Sequence, residues 1–427
     1  MKHLTFIPLL ISILTHVVDA ATNVTTDGGM SVEMKTYYDK LLLKNAWPKL
    51  VHNQFGQKRN IPKHGGKIIE FRKFTPLPKA LTPLTEGVTP NGQKISATAI
   101  NATVAQYGAY VTYSDVLAMT TIDPTLVEGM KMLGHQAGMT LDTITREVLN
   151  GGDTVQYGEG TLANRASLVG LHATWASNNY FNCEMVRRAN LTLRNNKAAP
   201  IEGGDFVAII HPEAEYCLKK DSEWVAYQLA QHTEKIFDGE IGRFDGTRFV
   251  VSTEAKIFAP PNLAAAGRNL TIASLADKTF TVDEVLTAAD KASMETREIS
   301  VKGQRLTVVT VTAGAAGAAT ILVSEVITTS PGDGDIIYPA DMGAGEVSMP
   351  LNGAEVSTAL FIGADAYGTT NIEGLGLQTI VKPLGSGEDP LNQRSTAGWK
   401  ATHVAKRLSE LWMVRVEFAI PDVLGAN

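Results

Sequence analysis

The sequence predicts an α+β fold rich in sheet, with one unusually long helix and a β-rich insertion. Three observations carry this. Apolar residues recur at 4-3-4-4-3-4 spacing from Leu126 to Val148, the stripe of an amphipathic helix. Period-2 alternation marks strands around Ile100–Ala105 and from Trp412 to Ile420. From about Ala259 the composition shifts, and residues 260–350 become rich in Ala, Thr, Val and Gly with few aromatics.

The chain has 427 residues and a formal net charge of −6, room for two or three domains. That charge argues against a protein that gains affinity by neutralising phosphates. Two cysteines, Cys183 and Cys217, exclude a disulfide framework and a cysteine-rich zinc site. Composition also excludes a coiled coil, a collagen and a multi-span membrane protein.

Met1 to Ala20 has the form of a secretory signal: Lys2 and His3, an apolar run from Leu4 to Val18, then Val18-Asp19-Ala20. The other reading is an upstream extension or flexible arm, with the folded chain starting near Met30. Ser31–Ala46 reads as a short helix ending before Pro48. An extended run, Lys67–Phe74, is followed by Pro76, Pro78, Pro83 and Pro90 and the turn signal Asn91-Gly92. The chain returns as a strand over Ser96–Tyr113. Together these predict an excursion projecting from the body, with little apolar material of its own to bury.

Asp123 and Pro124 suit the N-cap and first position of the long helix, which Asn150-Gly151-Gly152 ends. Residues 153–183 read as irregular. A helix over Glu184–Asn196 precedes a buried strand, Asp205–Ile210, ending at His211-Pro212. Asp221–Phe237 reads as a helix, Gly239–Gly246 as a glycine-punctuated turn and Thr247–Ser252 as a strand. In the insertion, strands are expected at Ile299–Val301, Leu306–Val311 and Thr320–Ile327, around a flexible Ala313–Ala319 link. Ala359–Ile362 and Gly374–Lys382 resume the body. Trp399–Leu408 and the alternating stretch after Trp412 are expected to form a closing strand pair.

The search for chemistry returns little. The nine histidines show no His-x-x-x-His or His-Glu-x-x-His spacing, and no Gly-x-Ser-x-Gly elbow occurs. Asp333-Gly-Asp335 with Asp341 matches only the carboxylate alternation of a calcium loop and lacks its distal glutamate. Gly158-x-Gly160 and Gly239 to Gly246 lack the Lys-Ser/Thr of a phosphate loop. Arg187, Arg188, Arg194 and Lys197 make a small basic helix face, either solvated or in contact with DNA or a neighbouring subunit. Neither a catalytic constellation nor a cofactor motif emerges, so no enzyme activity, cofactor or metal is expected.

Three stretches, taken in order, resemble the major capsid proteins of tailed double-stranded-DNA phages, in the N-four-like group. The first runs from Met34-Lys-Thr-Tyr-Tyr-Asp-Lys40 through Gly65–Arg72 and Leu77–Pro90 to Thr103–Gly108. The second is Leu133–Arg146 on the long helix. The third joins Gly363–Gly368, Asp389-Pro-Leu-Asn-Gln-Arg394 and Gly398-Trp-Lys400. The resemblance implies the Hong Kong-97 type capsid fold and self-assembly into an icosahedral shell around the genome. In that fold 1–29 is a leader or arm, 30–66 an N-arm and 67–113 an extended hairpin lying on a neighbour. Residues 114–258 and 355–427 hold the spine helix and the peripheral and axial domains, and 259–354 is an inserted β domain. A secreted or cell-surface β-rich binding protein is the alternative.

The residues expected to carry assembly or its scaffold are Phe71, Leu77, Pro78 and Glu86 on the hairpin, and Leu126, Met130, Leu133, Leu141 and Ile144 on the helix. In the C-terminal part they are Tyr367, Asp389, Pro390, Asn392, Gln393, Arg394 and Trp399. The expected partners are further copies of the chain in hexamers and pentamers, packaged DNA contacted without sequence preference, and portal, scaffolding or cement proteins. No membrane contact is expected. The expected location is the virion, after assembly in the host cytoplasm.

Overall fold

The computed structural model describes residues 22–23, 50–74, 77–84, 86–87, 89, 91–115, 125–170, 177–201, 204–230, 240–259, 262–265, 267, 269–340, 349–374, 376–382, 391 and 393–421. The leader-like stretch to Ala20, the Ser31–Ala46 helix and the cap residues Asp123 and Pro124 lie outside these residues.

Helix α1, Thr125–Asn150, is 26 residues long, a rod of about 39 Å at ~1.5 Å per residue. It lies on one face of a six-stranded sheet whose strand order is Thr22–Asn23, Ala105–Ser114, Arg394–Arg407, Tyr367–Ile372 and Gln57–Ile61. Gln378–Lys382 is the sixth strand, paired with Arg394–Arg407. That 14-residue strand organises the sheet. One edge pairs with Ala105–Ser114 from Arg394↔Ser114 to His403↔Ala105. The other edge takes Gln378–Lys382 and then Tyr367–Thr370 in succession. Alternation sends its odd-numbered residues towards α1. Ala397, Trp399 and Ala401 pack with Met130, Leu133, Ala137 and Leu141 of the helix.

A second, seven-stranded sheet runs Val155–Tyr157, Met413–Ala419, Val356–Ile362, Phe206–Ile210, Thr247–Val251 and Glu240–Phe244, with Ile257–Phe258 on the Val356–Ile362 strand. Helices α2 (Cys183–Asn195), α3 (Pro212–Lys220) and α4 (Ser222–Ala230) contribute to the core on one face. Met185, Val186, Leu193, Cys217 and Trp224 meet Phe249, Phe361 and Phe418 there. Leu149, at the end of α1, packs with Ile209, Leu360, Ile362, Met413 and Tyr367, joining the two sheets.

The insertion is a closed six-stranded barrel in the order Leu270–Ala276, Thr279–Val282, Ala319–Val323, Gln304–Thr312, Glu298–Val301 and Ile336–Pro339. Helix α5, Ala288–Met294, has a capping box at Thr287 and Asp290. The barrel has its own apolar core, including Phe280, Leu306, Val311 and Ile321. The chain leaves the body at Phe258 and rejoins it at Val356, two residues that are direct antiparallel partners.

Several local expectations are corrected. The expected Asp221–Phe237 helix is present as α4, Ser222–Ala230, and residues 231–237 lie outside the described residues; an additional helix, α3, precedes it, because Pro212 starts a helix capped by the His211 ring, whose Nδ1 accepts from Glu213 N–H at 3.2 Å. Gly239–Gly246 is largely a strand, Glu240–Phe244, and only Asp245 and Gly246 turn, both at positive φ. Ala313–Ala319 is tied down by a bridge from Gly314 to Leu286 rather than forming a free link. The C-terminal strands do not pair, since a 3-10 turn at Glu410–Trp412 sends Met413–Ala419 into the other sheet.

Candidate assembly surfaces

The excursion is a two-stranded ribbon, Ile68–Phe74 against Ala97–Thr103, in register from Ile68↔Thr103 to Phe74↔Ala97. It is shorter than the sequence suggests, because Ala105–Ser114 already belongs to the first sheet. Its root is anchored by Phe71, which is 3% exposed. Gly368 makes room for that ring, since a Cβ there would come within 2.7 Å of it. The Arg59 guanidinium stands 5.6 Å from the ring centroid, and Lys73 reaches Ser409 Oγ at 2.9 Å.

Beyond the root the ribbon is bare. Ile68, Phe74, Leu77, Leu81, Leu84 and Ile95 are all exposed, Leu81 and Leu84 to 81% and 77%. Pro78 and Glu86 are exposed beside them. Six large apolar side chains on one thin projection form the kind of patch that marks an interaction site. Covering them would release on the order of 10 kcal/mol, before the costs of association.

The second surface is the face of the first sheet turned away from α1. Tyr110, Gly398 and Ile380 are side by side across three strands. Tyr110 is 69% and Ile380 41% exposed, with the buried Gly398 backbone between them.

Behind these surfaces is a buried polar hub. The Asp142 carboxylate of α1 accepts from both the backbone N–H of His52 at 2.7 Å and its ring Nδ1 at 2.6 Å. The Tyr367 hydroxyl donates to the His52 carbonyl, and burial pushes that phenol well above its ordinary range. His403 Nε2 lies 2.9 Å from Thr145 Oγ1, and burial pulls its pKa down to about 4 against the opposing pull of Asp142. The hub fixes the 50–61 segment to the spine helix and to the strand beneath it.

The expected residues divide by role. Met130, Leu133, Leu141 and Trp399 form one internal cluster, with Trp399 Nε1 donating to Gln136 Oε1 at 3.2 Å. Ile144 is half-buried and Tyr367 fully buried. These residues and Phe71 hold the scaffold. Leu77, Pro78, Glu86, Gln393 and Arg394 are at the surface. Asp389, Pro390, Asn392 and the Leu126 side chain lie outside what the structure describes. Sequence reasoning missed Leu81, Leu84 and Tyr110; for the two leucines an apolar residue in a proline-rich loop was the available signal, whereas Tyr110 lies within the strand Ala105–Ser114.

Other candidate sites close down. Arg187 pairs with Glu223 at 2.7 Å and Arg188 with Glu184 at 3.0 Å, so much of the basic face on α2 is already neutralised. Cys183 and Cys217 are buried free thiols. Asp335 is engaged by Lys302 at 2.7 Å. Among the described residues no cluster of three or more His, Cys, Asp or Glu could hold a metal ion, and no helix is long and apolar enough to cross a membrane.

A sheet-backed spine helix, a projecting ribbon and a second helix-covered sheet define the class: a capsid-type α+β fold. The sequence matches no family model and no curated protein. Solved structures do match. The capsid of Ralstonia phage GP4 superposes with a TM-score of 0.51 at 13% identity, covering 87% of this chain and 88% of that one. The capsid of cyanophage Pam1 gives 0.52 at 12% identity, covering 95% and 100%. The chain thus has the Hong Kong-97 type fold of tailed-phage capsid proteins. These matches do not reach the narrower N-four-like group.

Proposed function

We propose that this chain is a tailed-phage major capsid protein, a structural and non-catalytic subunit that assembles with copies of itself into the shell around the genome. The observation that carries the reading is the ribbon: six large apolar side chains left bare by their own chain, on a fold shared with phage capsids. In the proposed shell the ribbon lies on a neighbouring subunit and α1 stiffens the body between contacts. Each contact is modest, and repetition makes the assembly stable. Packaged DNA is contacted without sequence preference, portal, scaffolding or cement proteins are further partners, and assembly takes place in the host cytoplasm. The barrel is proposed to decorate the outer surface.

Electron microscopy of the purified protein tests the reading. Rings, hexamers, pentamers or shells are expected, and a species that stays monomeric at every concentration and salt would overturn it. N-terminal sequencing tests the alternative, because a mature chain beginning at Ala21 would favour the secreted protein.

A further inference from the structure

Asn-Gly occurs three times in the chain, at Asn91-Gly92, Asn150-Gly151 and Asn352-Gly353. The pair has a chemistry of its own. The glycine backbone nitrogen can attack the asparagine Cγ, because no Cβ obstructs closure of the five-membered ring and the backbone is free to reach the angle required. The structure separates the three pairs by whether that nitrogen is available. Gly151 N–H donates to the Glu147 carbonyl at 3.1 Å, and the buried Asn150 donates its amide to the Arg146 carbonyl at 3.0 Å. Gly353 N–H donates to the Pro350 carbonyl at 3.2 Å, and the Asn352 amide donates to the Gly170 carbonyl. Asn91 and Gly92 are exposed and outside any strand, and Gly92 has open space around it. Among the described residues no hydrogen bond holds either of them. Gln93 Nε2, next along, donates to the Pro78 carbonyl at 3.5 Å. That contact keeps the pair on the loop that bears the exposed Leu77, Leu81, Leu84 and Ile95.

We infer that Asn91 is a self-modification site whose conversion limits how long a free subunit stays competent to assemble. Gly92 N gives its proton to hydroxide and bonds to Asn91 Cγ. The Cγ–Nδ2 bond breaks, the amide nitrogen leaves as ammonia with a proton from water, and a succinimide closes. Water then adds to either ring carbonyl and reopens the ring as aspartate or isoaspartate. Nothing is oxidised or reduced; the sum is amide plus water giving carboxylate plus ammonium. The product carries a negative charge that the fresh chain lacks, and isoaspartate also inserts a methylene into the backbone. Both changes fall on the apolar loop. A carboxylate covered there without a partner is strongly disfavoured, so a modified ribbon seats poorly on a neighbour. A seated ribbon excludes water and holds the Asn91 backbone still, so an assembled subunit keeps its amide. The chemistry stands on local geometry alone, and its effect on assembly rests on the capsid reading.

The test keeps the full chain dilute and unassembled at pH 6 and pH 8, then maps it by peptide mass spectrometry and isoaspartate-specific methylation. Asn91 is expected to convert at least roughly tenfold faster than Asn150 or Asn352, which react only after local opening. Conversion at Asn91 is expected to be faster at pH 8. Fresh and aged wild type, aged Asn91→Gln and fresh Asn91→Asp are then concentrated and followed by light scattering, with urea midpoints establishing that all are folded. Aged wild type and Asn91→Asp are expected to assemble at least roughly tenfold more slowly than fresh wild type. Aged Asn91→Gln, whose longer side chain disfavours ring closure, is expected to keep the fresh rate. Equal conversion at the three pairs, or none at Asn91, would overturn the inference while leaving the capsid reading intact. So would assembly of Asn91→Asp or of the aged wild type at the fresh rate. A fresh wild type that never assembles removes the capsid reading and with it the effect on assembly, while conversion at Asn91 still decides the modification site.

Discussion

His403 offers a measurable consequence of the way α1 is seated. The imidazole is 5% exposed and burial pulls its pKa down to about 4. In the unfolded chain the same ring takes up its proton near the ordinary value of about 6.5. Between those limits the unfolded state binds more protons, so stability falls as pH drops from about 6.5 towards 4 and is unaffected above that range. A gap of about 2.5 pH units at ~1.4 kcal/mol each gives ~3 kcal/mol at the acid end, and about 1.4 kcal/mol at pH 5.5. His403→Gln removes the titration and keeps a polar group facing Thr145. Urea unfolding of the unassembled subunit every half unit from pH 5 to 7.5 reads the slope. His211 is also pulled down by burial and adds in the same direction; His211→Asn removes its titration while keeping a side chain that caps α3. A wild type equally stable at pH 5 and 7, or a double variant that keeps the full slope, would refute the argument.

Three further outcomes follow from the geometry. Asp142→Ala removes the carboxylate that holds both the backbone N–H and the ring Nδ1 of a fully buried His52, and urea unfolding at pH 7 is expected to show a loss of about 2–5 kcal/mol from two buried groups left unsatisfied. Gly56→Ala would drive a Cβ to within 2.4 Å of the Tyr367 ring, whereas Gly92 has open space around it; thermal melts are expected to show a cost of about 1–3 kcal/mol for the first and little for Gly92→Ala. Leu81→Asp with Leu84→Asp is expected to leave the urea midpoint within about 0.5 kcal/mol of wild type, while light scattering shows assembly abolished.

The spine helix was legible because its stripe is long and uninterrupted, and the observed Thr125–Asn150 ends where Asn150-Gly151-Gly152 says it should. Helix α3 was missed because its cap is a histidine, a residue outside the usual capping set. Only Pro212, the early Glu213 and Glu215 and the late Lys219 and Lys220 marked it. The pairing of the C-terminal strands was misjudged because pairing is non-local. Both stretches do form strands, but a turn of three residues decides which sheet each joins. In the barrel, the alternation of Leu270–Ala276 breaks down at Ala273 and Ser274, and that of Thr279–Val282 spans only four residues, too short a run to stand out before closure buried alternate positions. For the assembly surfaces, the proline-stiffened excursion was visible. The hub of His52, Asp142, Tyr367 and His403 was not, since it unites residues 351 positions apart at the extremes.

The direct pairing of Phe258 with Val356 has a mechanical consequence. A folded insert whose two ends are one strand-spacing apart transmits no stretch to the strands that hold it, whatever its own size. The body experiences the barrel as it would a tight turn, and the entropy of closing that long connection is offset by the barrel's own core rather than charged to the sheet. Thermal opening of the barrel need not unzip Val356–Ile362. Conversely, any compact module whose termini are about 5 Å apart could occupy the same socket without altering the curvature of the sheet around it.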